Sequence, residues 1–162
     1  MSETEEFTFF WDGPFSQWHP SMFDIDGVVY NTAEQYMMSE KARFFNDKES
    51  RDKIMASDSP REQKAIGRKV KNFDADKWNG VSRNIVYKGN MAKFRQNKDL
   101  RTALFNTKGS SIVEASPYDK IWGIGMGEEE DLIHDRSQWK GLNWLGETLD
   151  RVRDDLLKEF NI

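Results

Sequence analysis

The chain has 162 residues, of which 37% are hydrophobic and 32% charged, with a formal net charge of −4. That length suits one domain with its own core, and six Trp and eleven Phe exclude a disordered composition. The lack of cysteine excludes disulfides, thiol nucleophiles and Cys-ligated metals, and two histidines, His19 and His134, are too few for a His-rich metal site. The acidic balance argues against a broad basic footprint for nucleic acid, so any such partner is expected to be read locally, through a pocket. No apolar run approaches membrane-spanning length and the N-terminus is acidic, so a soluble, cytoplasmic protein without a membrane partner is expected.

Residues 1–6 are polar and acidic and predict a disordered leader, with residues 7–162 as one domain. Phe7-Thr8-Phe9-Phe10-Trp11 is β-prone, and Asp12-Gly13-Pro14 turns the chain. Phe15 to Pro20 reads as an ordered aromatic loop that either fills core or carries a site. Phe23-Asp24-Ile25, then Asp26-Gly27, then Val28-Val29-Tyr30 is a hairpin signal around a dipeptide suited to a tight primed turn.

The stretch from Thr32 to Phe45 predicts a helix with a sharp start, Thr32 and Gln35 forming a capping box. At about 100° per residue, Ala33, Met37 and Phe44 flank one side of an apolar arc and Met38 and Phe45 the other. Glu34 and Lys41 fall near its centre, while Gln35, Ser39, Arg43 and Asn46 are expected on the wet face. A charge in an apolar stripe must be paired, neutralised or placed in a cleft. The two charges therefore belong either to structural ion pairs or to a pocket with apolar walls. At i and i+7 they lie about 10 Å apart along the axis, neighbours on one wall and not a contact pair.

Asp47 to Ser57 is polar and helical in character. Ser59-Pro60-Arg61-Glu62 is a second capping box and opens a helix through Ala65, Ile66 and Val70. Gly67 inside it marks a close approach, and Arg68 beside it is either solvated or reaches an anion. Asp74 leads into a longer helix whose inner stripe is expected at Trp78, Val81, Ile85, Met91 or Ala92, and Phe94 or Arg95. Trp78 suits a stacking platform and a core plug equally. A helix around Leu100 to Phe105 ends at Lys108-Gly109, and Ser111 to Ala115 reads as a strand.

From Ser116 to Gly127, glycines at positions 123, 125 and 127 beside Trp122 suggest backbone brought close to something, with Asp119 as a polar group at the edge. It is not a phosphate loop, since the Walker spacing is missing. The acidic run from Glu128 to Asp131 reads as a solvated loop. Leu145, Leu149, Val152, Leu156 and Phe160 repeat at helical spacing and predict a last helix packed on the core. The sum is an α+β, mostly helical single domain with a few short strands.

The motifs together resemble the NADAR family of N-glycosidases. They are Phe15-Ser16, Thr32-Ala33-Glu34-Gln35-Tyr36 with Lys41, Gly67-Arg68, Trp78, Lys93-Phe94, Asp119-x-x-Trp122-Gly123, and Gly141-x-Asn143-x-Leu145-Gly146 with Leu149 and Arg153. Each is weak alone; in this order, over nearly the whole chain, they are specific. Two departures bear on the substrate: Gln17-Trp18 stands where many members have Asn-Phe, and Gln35 where some have His.

The resemblance implies cleavage of an N-glycosidic bond between a base and ribose, with no cofactor and no metal. The substrate it implies is either guanine carrying ADP-ribose in nucleotide or nucleic acid, or a small ribosylamino-pyrimidine phosphate of the early riboflavin pathway. Members of the first kind include antitoxins, so a cognate ADP-ribosyltransferase toxin is an expected functional partner. Glu34, Lys41 and Asp119 are the candidate catalytic residues. Trp78, Trp122 and Trp18 would stack the base, Arg68 would hold phosphate, and Asn143 and Ser16 would contact substrate. A neutral Lys41 could attack the sugar and form an imine; a charged Lys41 would bind substrate while Glu34 activates water. A non-catalytic module that binds ADP-ribose or NAD, and a structural domain whose inward charges are only ion pairs, are the alternatives from other classes.

Overall fold

The computed structural model describes residues 5–162. In chain order its elements are β1 (Phe7–Phe10), β2 (Phe23–Ile25), β3 (Val28–Tyr30), α1 (Ala33–Phe44), α2 (Lys48–Met55), α3 (Pro60–Gly67), α4 (Ala75–Gln96), α5 (Lys98–Phe105), β4 (Ser111–Glu114) and α6 (Trp144–Glu159). Short 3-10 turns at Asp131–His134 and Arg136–Gln138 precede α6. This is the mostly helical α+β composition expected. No described helix is long and apolar enough to cross a membrane. The elements gather into two units, residues 17–98 and the flanking segments up to Ser16 and from Asp99 to Ile162.

In the unit of residues 17–98 the hairpin forms as predicted. Asp26 and Gly27 both take positive φ, 52° and 83°, as a primed turn requires, and Phe23 stacks on Tyr30 across the pair. The Thr32 hydroxyl caps α1 by accepting the Gln35 N–H at 3.0 Å. The return bond differs from a capping box by one residue: Gln35 Oε1 accepts from the Asn31 N–H at 2.8 Å.

Helix α1 is enclosed by α2, α3 and α4. This corrects the wet face expected for it. Gln35 and Ser39 are 2% and 1% exposed, because α2 and the turn after it cover them. Gln35 Nε2 donates to the carbonyls of Ile54 and Ser57, satisfying two groups at a helix end that water would otherwise take. Arg43 and Asn46 do face solvent.

Helix α4 begins at Asp74, whose carboxylate accepts the Lys77 N–H. Trp78, Ala92 and Phe94 are buried as expected, but the middle of the stripe is rotated: Ser82, Val86, Gly89, Asn90 and Lys93 are buried, whereas Val81, Ile85 and Met91 are only half-buried. Gly89 is the reason: a Cβ there would stand 2.7 Å from the Tyr36 ring, so α4 meets α1 on its glycine side. Gly67 plays the same part on α3, beneath the Met38 side chain.

In the other unit β1 pairs with β4 in parallel register, Phe7 with Ser111 through Phe10 with Glu114. Of the expected leader, residues 1–4 lie outside the described residues. Glu6 accepts the Ser111 N–H, and the Glu5 carboxylate binds the Ser111 hydroxyl and Arg136. Val113, Ala115, Ile124, Met126 and Ile133 form the core of this unit. Helix α6 packs on β4, with Leu145, Leu149, Val152 and Leu156 buried as predicted. Phe160 is a correction: it lies one residue past the helix, 37% exposed, edge-on to Phe105 and under Arg101.

Gly146 opens α6 directly against β4, where an added Cβ would run into the Ile112 carbonyl oxygen and the Asn143 carboxamide. Both are fixed parts of the strand contact. Gly146→Ala is therefore expected to destabilise by about 3 kcal/mol or more. The check is the urea midpoint; a value equal to wild type would mean the contact yields.

Candidate active site

Capping places Glu34 in the first turn of α1, 5% exposed, with its N–H donated to the Gln17 carbonyl at 3.0 Å. Two turns on, Lys41 lies half-buried on the same side. Its Nζ is 4.5 Å from the centroid of the Phe73 ring and 5.9 Å from that of Trp78. Burial holds the Lys41 amine below the ordinary lysine value, Glu34 opposes that shift, and the Arg68 guanidinium adds to it. Glu34, Lys41, Arg68 and Trp78 are thus brought together, around a lysine poised between an acid, a second cation and two aromatic faces. Rings near an ammonium favour its charged form and burial disfavours it.

Trp78 is 6% exposed, packed toward Phe45. Phe73, at the lip beside Lys41, was not among the predicted residues. The signal for it was present: with Asp74 as N-cap, Phe73 and Trp78 occupy the positions of a hydrophobic staple. Trp18 is exposed and faces Lys64 of α3, whose Nζ is 5.8 Å from its ring. Arg68 ends α3 and is exposed.

A second buried amine went unpredicted as a site residue. Lys93 is 0% exposed on the α1-facing side of α4, and burial lowers its pKa to about 7. The His19 imidazole is also held below its usual value, by burial and by the nearby Lys93. Stepping along α4 from Trp78 through Ser82, Val86 and Asn90 leads to Lys93, a stripe legible in the sequence once polar residues are allowed on an inner face.

The remaining predicted residues belong to the other unit. Asp119 is half-buried, and its Oδ1 accepts the N–H groups of Ile121 at 2.9 Å and Trp122 at 2.8 Å. That bond pair folds the loop and leaves the second oxygen for other work. Trp122 is half-buried, edge-on to Trp144 at 5.7 Å. Asn143 is 2% exposed, and both ends of its carboxamide serve β4: Oδ1 accepts from the Glu114 N–H and Nδ2 donates to the Ile112 carbonyl. Its left-handed backbone, φ 54°, starts α6. These contacts tie the start of α6 to the strand. Ser16 is half-buried and closes the turn after β1 through its N–H to Gly13.

Among the described residues no three His, Asp or Glu side chains gather as a metal site requires. A cleft of about 610 Å³ in the unit of residues 17–98 is lined by Tyr36, Glu40 and Arg43 of α1 and by Asn84, Lys88 and Arg95 of α4. It lies on the opposite face of α1 and takes in none of the predicted site residues.

Chemically, the arrangement around Lys41 offers a nucleophilic or phosphate-binding amine, a buried carboxylate for proton handling, and flat apolar surface. Residues 8–157 match the profile of the NADAR domain. The chain is 41% identical to N-glycosidase R617 of Acanthamoeba polyphaga mimivirus, over 87% of this chain and 86% of that protein. It is 30% identical to the chloroplastic riboflavin biosynthesis protein PYRR of Zea mays, over 96% of this chain but 26% of that longer protein. Its fold is similar to the NMR structure of E. coli YbiA, with a TM-score of 0.79 and 27% identity over 98% of this chain and 89% of that one.

Proposed function

The chain belongs to the NADAR domain family and is an N-glycosidase; on that premise we propose that it removes ADP-ribose from guanine carried in nucleic acid. The observation that carries the mechanism is Lys41, an amine held below its usual pKa between Glu34 and two aromatic rings. In its neutral form Lys41 Nζ bonds to the anomeric carbon. The glycosidic C–N bond breaks, its electron pair leaves with the base, and the base takes a proton. Glu34 receives the proton that the amine loses and hands it to the departing base. The sugar ring opens to an imine, water adds at the same carbon, and the C–Nζ bond breaks to return the amine and the free sugar. In the unit of Lys41, Trp78 and Trp18 are the candidates for stacking and Arg68 for phosphate; in the other unit Trp122 and Asp119 are candidates in their own right. On this reading the reaction that supplies the substrate is ADP-ribosyl transfer to guanine, the class a toxin partner would catalyse.

A second reading is favoured by the identity to PYRR across almost all of this chain: a ribosylamino-pyrimidine phosphate as substrate. One assay separates the two. Released base is followed by chromatography with an ADP-ribosylated guanine oligonucleotide and a ribosylamino-pyrimidine phosphate side by side, with and without borohydride. Turnover of the first substrate and a borohydride-trapped adduct lost in Lys41→Ala are the expected results. Turnover of the second alone transfers the mechanism to the metabolite.

Arg68→Ala gives a pH test of the same amine. Arg68 disfavours the Lys41 ammonium, so its removal raises the Lys41 pKa. The limb of kcat that rises with pH as Lys41 loses its proton is expected to move to higher pH. An unmoved limb would assign the titration to another group.

A further inference from the structure

Exposed apolar side chains are concentrated on one face of the unit that holds β1, β4 and α6. Trp11 is 51% exposed and Tyr118 86%, and their rings meet edge to face at 6.0 Å. Beside them the chain doubles back: the Leu142 N–H donates to the Lys120 carbonyl and the Trp144 N–H to that of Ile121. Ile121 and Leu142, both exposed, stand on these adjoining segments. Lys120 and Lys140 bring their stems together over Gly125 and keep their ammonium ends in water. The acids on the adjoining segments are Asp12, in the turn after Trp11, Asp119, whose Oδ1 is taken by two backbone N–H groups, and the run from Glu128 to Asp131, in which Glu130 folds back to accept the Gly127 N–H.

A face with two aromatic rings held open to solvent is not needed by the core, which is complete without them. Rings interleaved with ammonium groups are what single-stranded nucleic acid requires, since every base has a flat face and every phosphate a charge. The net charge of −4 confines such contact to a local patch, here the segment that carries Tyr118 and Lys120, with the Lys140 stem meeting that of Lys120 over Gly125.

We propose that this face of its unit binds single-stranded nucleic acid, with Trp11 and Tyr118 stacking on bases and Lys120 and Lys140 against phosphates. The inference rests on the reading that the substrate is nucleic acid. Tyr118 directly precedes Asp119, so the face adjoins the candidate site residues of its own unit. It assigns to this surface a preference for polymer over mononucleoside.

The test measures kcat/KM on ADP-ribosylated guanine in a single-stranded oligonucleotide and on the same modified base as a mononucleoside. Trp11→Ala combined with Tyr118→Ala is expected to lower the first by about tenfold to a hundredfold and leave the second unchanged. Lys120→Gln with Lys140→Gln should flatten the salt dependence of the oligonucleotide reaction only. Equal losses on both substrates, or none on the oligonucleotide, overturn the proposal. Should wild type cleave neither, the proposed function fails, and fluorescence anisotropy with an unmodified single-stranded oligonucleotide decides the face alone. Binding that the double variant loses upholds it; no binding by wild type overturns it. Self-association that the double variant abolishes, with oligonucleotide binding intact, gives the face to a second copy of the chain and also overturns it.

Discussion

Lys41→Ala is expected to lower kcat by about a thousandfold while leaving the fold in place. The half-buried position decides the second half of that statement. Removal of the side chain loses its packing against Phe73 and Trp78, a cation–aromatic contact worth about 0.5–1 kcal/mol at such a site. A purely structural role would give a different result. Truncating one member of a buried ion pair strands the other and costs about 3–5 kcal/mol. Urea midpoints of wild type and Lys41→Ala, read beside the activity, separate the two. Glu34→Gln sharpens the comparison, because Glu34 is the group that raises the Lys41 pKa. Its loss should drop the amine further while also halting turnover, and selective labelling of Lys41 at fixed pH reads the first effect without the second.

The other large effect is on stability and belongs to Lys93. Its folded-state pKa of about 7 lies below the unfolded value of 10.5. Between those pH values the unfolded chain binds a proton that the folded chain does not, so stability rises with pH across that window. The penalty is fully present below pH 7 and absent above 10.5. The displacement corresponds to about 5 kcal/mol at most, less as the surroundings relax. Lys93→Met should remove this dependence. The difference in urea midpoint between wild type and variant is expected to move steadily in favour of wild type from pH 7 to pH 10. A constant difference over that range would mean that Lys93 keeps its proton in the fold. The variant should also raise the His19 pKa, since Lys93 is one of two influences holding it down; an NMR titration of the imidazole reads this directly.

What was legible in the sequence, and what was not, follows from the range of the forces involved. Local chemistry was readable: Asp26-Gly27 demanded positive φ, and Thr32, Ser59 and Asp74 capped the helices that follow them. The placement of Glu34 and Lys41 on one side of α1 also followed from helical spacing alone. The errors came where tertiary contact overrides pattern. Gln35 and Ser39 read as solvated because their type is polar, yet both are buried: Gln35 finds carbonyl partners at Ile54 and Ser57, and Ser39 donates to the Tyr36 carbonyl of its own helix. The stripe of α4 was placed by its apolar residues, whereas the true contact is set by Gly89, which has no side chain to register in a hydrophobic pattern. Asn143 was named through the family resemblance, and its hydrogen bonds to β4, a partner some thirty residues away, are contacts that no local rule reveals.

The parallel pairing of β1 with β4 has a bearing on the order of folding. Thr8 and Ser110, joined by their hydroxyls, are 102 positions apart, so β1 leaves the ribosome long before its partner exists. Every element of the intervening 17–98 unit is contiguous and can form first. Its two ends are drawn together as it does: Gln96 pairs with the backbone of Asp24, and Asn97 donates to the Met22 carbonyl. Loop-closure entropy grows with the length of free chain. Once the inserted unit has folded, most of that length is no longer free, and β1 has only a short gap to close. The folding of the inner unit thus acts as a clasp for the outer one, and substitutions that loosen the Gln96 and Asn97 bonds should slow β1–β4 pairing while touching neither strand.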